Sequence, residues 1–427
     1  MKYHKYLESK LNDIIVDVSM SSDFVRNSKT DFTRSRKLGF LPTFNSVLTM
    51  GGGSLGSELL ELFEYSDSMP CKSAFVQARH KILPEAFSHV FYEFTKELPR
   101  HKKYKGYHLL SVDGSSLNIY RNPNDVDTFV NKVRNKGYNE MEISAMYDLL
   151  NNVYTDPVLQ GVNHKDERGA LISMIPNISG KSIVIADRGY ESYNVLAHLE
   201  EANQRYVVRV KDISSNGILS GFTLPDKEFD KTFTVNISNY QRNKLKALAN
   251  YRFSPSIARF DFSYKDNPAY SLSFRVVRIR YDGDKYQCII TNLSDEFTPD
   301  DIKYLYKLRW GIETSFRQLK YAVGLSNFHA KKKDSIIQEI FARLTLHNFC
   351  ESIVQNAILI NRSTKHNYKI NFTRAVQICR KYLRFFNTIL INVEALLKRH
   401  LSIIRDNRSF KRNLKPKKFT SFVYRVS

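Results

Sequence analysis

Two aspartates stand where chemistry is usually built. Asp113 closes the apolar run Tyr107-His108-Leu109-Leu110-Ser111-Val112, and Asp187 closes Ile183-Val184-Ile185-Ala186. Both runs read as buried strands, and the carboxyl edge of such strands is where α/β sheets place their sites. Either acid alone would serve as a turn former or helix cap. A third acid, Glu313, lies in Tyr306-Lys307-Leu308-Arg309-Trp310-Gly311-Ile312-Glu313-Thr314-Ser315-Phe316-Arg317-Gln318-Leu319-Lys320. On a helix, Leu305, Leu308, Ile312, Phe316, Leu319 and Val323 form one apolar stripe. Tyr306, Arg309, Glu313, Arg317 and Lys320 form a second stripe, about 100° around. A carboxylate is thereby lined up between cations along the edge of the core face. Salt bridges at i,i+4 account for Glu313 with Arg309 and Arg317, but not for the hydroxyl and the third cation that continue the line. The four cysteines, Cys71, Cys288, Cys350 and Cys379, are too far apart for a zinc knuckle and read as small buried hydrophobes. Any metal would be held by oxygen.

The elements that must position these residues belong to a chain of 427 residues with a net charge of +22. A hydrophobic fraction of 42% excludes wholesale disorder, and the charge points to a polyanionic partner. No stretch of about 18 apolar residues occurs, and the N-terminus has no signal-peptide core. The expectation is an intracellular protein without a membrane partner. Charge concentrates at the end: from Lys398 to Ser427 there are ten Lys or Arg against Asp406 alone. That tail reads as a solvated end, a DNA-backbone arm, or both.

Residues 1–100 read as mostly helical, with apolar spacing of three and four at Phe44 to Met50, Leu55 to Phe63, Ser73 to Ile82 and Pro84 to Phe94. The third of these carries basic residues late, as would either a recognition helix or a bundle helix. From about residue 104 strands alternate with helices, which predicts an α/β sheet, at least partly parallel. Residues 212–295 carry short alternating strands and read as a β-rich insertion. After Thr298-Pro299-Asp300-Asp301 a helical pattern runs to the end, with a break near Leu359 to Asn371. Asp148, Asp156, Asp166 and Glu167 read as structural acids, and His164 and His329 as lone histidines.

The spacing Tyr306, Arg309, Glu313, Lys320 resembles the signature of the insertion-sequence-four group of bacterial DDE transposases. Ser-Val-Asp-Gly-Ser-Ser around Asp113 and Ala-Asp-Arg-Gly-Tyr around Asp187 are similar to that family's other two catalytic segments. The resemblance covers roughly residues 100–330. It implies an α/β fold with an RNase H-like core that brings Asp113, Asp187 and Glu313 together as catalytic residues and ligands of two Mg²⁺ or Mn²⁺ ions. It divides the chain into a helical DNA-binding region 1–103, a first part of the core 104–211, a β-rich insertion 212–297, a second part of the core with the signature helix 298–335, and a C-terminal helical region with the basic tail 336–427. Tyr306, Arg309 and Lys320 would hold the DNA backbone near the scissile phosphate, with Arg188 and Arg317 in support.

The implied activity is cut-and-paste transposition by a homodimer in a synaptic complex. Terminal inverted repeats would be cleaved and their 3′-hydroxyls joined to target DNA, in the bacterial cytoplasm at the nucleoid. Two other readings stay open: a non-enzymatic DNA-binding regulator of transposition, and a metal-dependent nuclease that never joins ends. Family members that cut through a hairpin can stack a flipped base on an aromatic, in some a tryptophan in the insertion. The only tryptophan here, Trp310, lies in the signature helix and reads as core beside the site. Tyr251, Phe253 and Tyr270 are not distinguished from one another.

Overall fold

A computed structural model describes residues 2–132, 135–255, 260–283, 285–357, 367–384 and 391–404. Most of the basic tail, residues 405–427, and most of the expected break at 359–371 lie outside them.

Five helices come first: α1 (Tyr3–Met20), α2 (Phe40–Thr49), α3 (Leu55–Leu62), α4 (Lys72–Lys81) and α5 (Pro84–Glu97). Leu7, Leu11, Ile15 and Val18 put a buried stripe on α1 at spacings of four and three. Ser54 caps α3, accepting from Ser57 N–H at 3.2 Å. The core strands follow: β1 (His108–Ile119), β2 (Phe129–Lys132), β3 (Asn135–Asp148), β4 (Val153–Gly161), then α6 (Glu167–Met174), β5 (Ser182–Ala186), α7 (Tyr193–Glu201) and β6 (Arg205–Val210). In space the order is β4, β3, β1, β5, β6. Strands β1, β5 and β6 are parallel and β3 is antiparallel to β1. A three-strand meander continued by two crossover units is the RNase H-like topology.

The region 212–297 holds β7 (Phe229–Ser238), the short helix α8 (Asn243–Lys246), β8 (Tyr251–Phe253), β9 (Tyr270–Asp282) and β10 (Lys285–Thr291). These strands do not form a sheet of their own. Strand β10 pairs antiparallel with β6, Ile290 opposite Val208, so the insertion extends the core sheet.

Side chains alternate across this sheet. Val112, Val184, Ala186 and Val208 pack with α6 and α7 on one face. Leu109, Ile183, Ile185 and Val207 pack on the other face against α9 (Pro299–Leu308), which a Thr298–Asp301 capping box starts. After α9 come α10 (Trp310–Gln318), a π-turn at Leu319–Val323, α11 (Lys333–Asn356), α12 (Phe372–Arg384) and α13 (Val393–Arg399). The single signature helix expected from the sequence is thus three segments, because Arg309 tightens the chain, its N–H bonding to Tyr306 O at 3.2 Å. The helical pattern is interrupted as well, at 368–370 within the break expected near Leu359 to Asn371, and at 401–403 where helix was expected. Strand β11 (Tyr368–Ile370) pairs with β12 (Leu401–Ile403); Tyr368-Lys369-Ile370 and Leu401-Ser402-Ile403 each alternate apolar, polar, apolar, the period of a strand.

Helix α11 starts at Lys333, so the boundary read at 335/336 falls inside it. It is buried along almost its whole length and joins the N-terminal helices to the core. Phe91 packs on Phe341 at 5.8 Å between ring centroids. The buried guanidinium of Arg79 reaches Glu339 at 2.8 Å and Gln338 at 2.8 Å. Arg343, fully buried, donates to Met50 O and to Gly51 O, the latter at 3.0 Å. Buried charges need such partners.

Candidate active site

Parallel pairing of β1 with β5 sets Val112 beside Ala186. Asp113 and Asp187 are the next residues on those two adjacent strands, so two acids 74 positions apart in sequence meet at one sheet edge. Asp113 has the strand parity of Leu109 and therefore belongs to the face covered by α9 and α10. Its carboxylate accepts from Gly114 N–H at 2.9 Å. Asp187 directly follows β5 and caps a short turn, accepting from Gly189 N–H at 2.7 Å.

Glu313 comes to this edge on α10. Ile312 and Phe316 anchor the helix in the core. Gly311 lets it approach closely, since a Cβ there would stand 2.9 Å from Leu149 Cδ2. Arg309 Nη2 lies 2.8 Å from Glu313 Oε1. Lys320 Nζ donates to Ser116 O at 2.7 Å, tying the π-turn to β1 three residues beyond Asp113. Gly324 then ends the segment at φ +98, a conformation that favours glycine.

The acids feel one another. Burial pushes the Asp113 carboxyl up to about 6; the Gly114 N–H and the Arg309 charge work against that rise, and the charges of Asp187 and Glu313 add to it. The donors are carboxylate oxygens only, the set that suits a hard divalent cation, and such a cation would relieve the repulsion on Asp113. As the side chains stand, no three His, Cys, Asp or Glu among the described residues converge tightly enough to hold an ion. Glu313 is turned onto Arg309 instead.

The remaining expected residues fall out unevenly. Arg317 and Arg188 are exposed, whereas Tyr306 is buried, with the Arg309 guanidinium 5.7 Å from its ring. Trp310, expected in the core, is 56% exposed. It lies two residues from Ile312, about 200° around the helix and off the buried stripe. On α4, Arg79 is turned inward, and the exposed face is Lys72, Ser73, Val76 and Gln77. Cys71 is exposed rather than buried and caps α4. Asp166 caps α6 as expected of a helix start, accepting from Gly169 N–H at 2.9 Å. Asp148 accepts from Asn151 N–H at 3.1 Å, and Asp156 from Tyr92 at 2.9 Å, both structural roles. The histidines are not alone. His329 Nδ1 lies 3.3 Å from Glu339 and His164 Nε2 3.6 Å from Asp127, carboxylates that the fold supplies from other elements.

Glu167 opens α6, as read for a helix-start acid, and it also lies beside the edge. Gly114 has the opposite parity to Asp113, and a Cβ on it would come within 2.9 Å of Glu167 Oε1 and 2.8 Å of Glu142 Oε1. A Cβ on Gly189 would come within 3.7 Å of Glu167 Oε2. Lys165 Nζ bridges the two glutamates, 3.2 Å from Glu142 and 2.8 Å from Glu167. Glu142 was also missed. Its signal was an acid flanked by the apolar residues Met141 and Ile143.

A family model described as the transposase DDE domain matches residues 104–349. Among solved structures, a cryo-EM structure of a piggyBac transposase synaptic complex with hairpin DNA is similar at 10% identity and a TM-score of 0.45, over 89% of this chain and 77% of that one. No curated protein matches the chain in sequence. No helix among the described residues is long and apolar enough to cross a membrane.

Proposed function

The chain belongs to the DDE transposase family, and we propose that it cuts the terminal inverted repeats of an insertion sequence and joins their 3′-hydroxyls to target DNA. One observation carries this reading. Asp113 and Asp187 each follow the last paired residue of two adjacent parallel strands, and α10 brings Glu313 to the same edge. The Tyr306, Arg309, Glu313, Lys320 spacing supports placement in the insertion-sequence-four group.

DDE transposases generally use divalent metal ions, and Asp113, Asp187 and Glu313 are the residues that would hold two Mg²⁺ or Mn²⁺ ions here. Bound there, such ions supply Lewis acidity to an attacking water or 3′-hydroxyl and to the leaving oxygen. The chain's own residues do the rest. Arg309 orients Glu313 and, once released from it, offers a fork of donors to a phosphate. Arg317 and Arg188 offer exposed cations on either side of the edge. Lys320 holds the strand that carries Asp113. The α4 face and the basic C-terminus extend the grip on more distant DNA, with the catalytic unit a homodimer that pairs two element ends and works in the cytoplasm at the nucleoid.

The test is strand transfer with a pre-cut donor bearing a free 3′-hydroxyl and a supercoiled target, in Mg²⁺ and in Mn²⁺. Joined products that disappear in Asp187→Asn support the proposal. Nicking of the target without joining identifies a nuclease, and binding without either reaction identifies a regulator.

A further inference from the structure

The cation edge carries one acid that the three-residue signature does not account for. Glu167, in the first turn of α6, approaches β1 from the face opposite Asp113. It can do so because Gly114 has no side chain: its carboxylate lies where a Cβ would be crowded, and it also nears Gly189, the partner of Asp187. Each of the two edge aspartates therefore has Glu167 next to its neighbouring glycine.

A second observation is independent of the acids. The Tyr190 side chain is 1% exposed, and its hydroxyl has no hydrogen-bond partner among the described residues. Burial raises its pKa well above the ordinary tyrosine value, and the charges that add to this are Glu167, Asp113, Asp187 and Glu142, in that order. The orphaned hydroxyl thus lies within electrostatic reach of four carboxylates. Buried hydroxyls seldom lack a partner, and an orphan beside a set of anions marks a place for a ligand. Among the described residues, the cation on Glu142 and Glu167 is the ammonium of Lys165, half-exposed and long enough to swing away.

We propose that Glu167 is a fourth carboxylate of the divalent-cation site, held by the Lys165 ammonium until the cation displaces it. Glu142, buried and fixed by Ser116 Oγ at 2.9 Å, stays behind as the anchor for Lys165. The inference rests on the reading of Asp113 and Asp187 as cation ligands.

Isothermal titration of the full chain with Mn²⁺ in the absence of DNA tests it, with circular dichroism confirming that each variant is folded. Glu167→Gln, an isosteric change, is expected to weaken Mn²⁺ binding about tenfold. Lys165→Met is expected to tighten it severalfold, because the competing ammonium is gone. These opposite signs distinguish a ligand role from loss of structure, which would weaken both. If Glu167→Gln binds Mn²⁺ as the unaltered chain does while Asp113→Asn does not bind it, Glu167 is no ligand and the three-acid reading survives. If Asp113→Asn also binds normally, the underlying reading fails. If Lys165→Met leaves affinity unchanged, the displacement part is overturned.

Discussion

The guanidinium of Arg309 lies 2.8 Å from the carboxylate of Glu313, one helical turn away and on the edge where Asp113 and Asp187 meet. The pair is mostly buried on the arginine side. In this arrangement Arg309 occupies the carboxylate that a divalent cation would need. On the proposed reading, a cation at Glu313 competes with Arg309 for Oε1. Removing the guanidinium should make Glu313 easier to capture but leave the phosphate less well held. For Arg309→Gln, the expected outcome is a lower half-saturating Mn²⁺ concentration together with a DNA-cleavage rate reduced about tenfold or more. Titrating the cleavage rate against Mn²⁺ separates the two effects.

Asp113 gives a stability prediction whose sign depends on pH. Its carboxyl is raised from 3.8 to about 6, chiefly by burial. The folded chain thus holds this proton more tightly than the unfolded chain. Its favourable contribution is complete below about pH 4 and is lost as pH rises through about 6. Asp113→Asn removes the charge that has to be buried at neutral pH. It should raise the stability by about 1–3 kcal/mol at pH 7.5 without divalent cation. The gain should vanish near pH 4, and it should shrink at pH 7.5 when Mn²⁺ is added, since the cation stabilises only the unaltered protein. Urea unfolding at the two pH values measures this.

The elements that carry Asp113, Asp187 and Glu313 were legible because each rests on a local pattern. Two apolar runs reach an aspartate, although β1 continues past Asp113 to Ile119, and one helical stripe carries a glutamate. The extension of the sheet by the insertion was not legible, because it depends on β10 pairing with β6 across about eighty residues of chain. Glu167 was hidden for a different reason. An acid in the first turn of a helix is already explained by the helix dipole, and only the fold reveals that Gly114 leaves it open space. Trp310 was misread because its bulk suggested core, although its offset from Ile312 pointed outward.

That offset makes Trp310 a reporter. It is the only tryptophan in the chain and it is 56% exposed, next to Arg309. DNA placed against α10 should quench and shift its fluorescence. Raising salt from 50 to 200 mM should reverse the change steeply, because phosphate contacts release counterions. Binding elsewhere on the molecule would leave the emission unchanged.

The buried pair of Arg79 and Glu339 joins the N-terminal helices to α11. Neighbouring cations hold the Glu339 carboxyl well below the usual range, against its complete burial. Arg79→Met should cost about 3–5 kcal/mol by stranding that charge. The double change Arg79→Met with Glu339→Gln should recover part of the loss. Thermal unfolding of the two variants checks the order.

The central claim is that Asp113, Asp187 and Glu313, far apart in sequence, surround one divalent-cation site. Affinity cleavage with Fe²⁺ and ascorbate reads this directly, since iron bound in place of Mg²⁺ cuts the backbone beside its ligands. The account predicts fragments ending near residues 113, 187 and 313, suppressed together by excess Mg²⁺ and absent in Asp113→Asn. Cuts at only one of the three segments, or fragments that persist in Asp113→Asn, would contradict it.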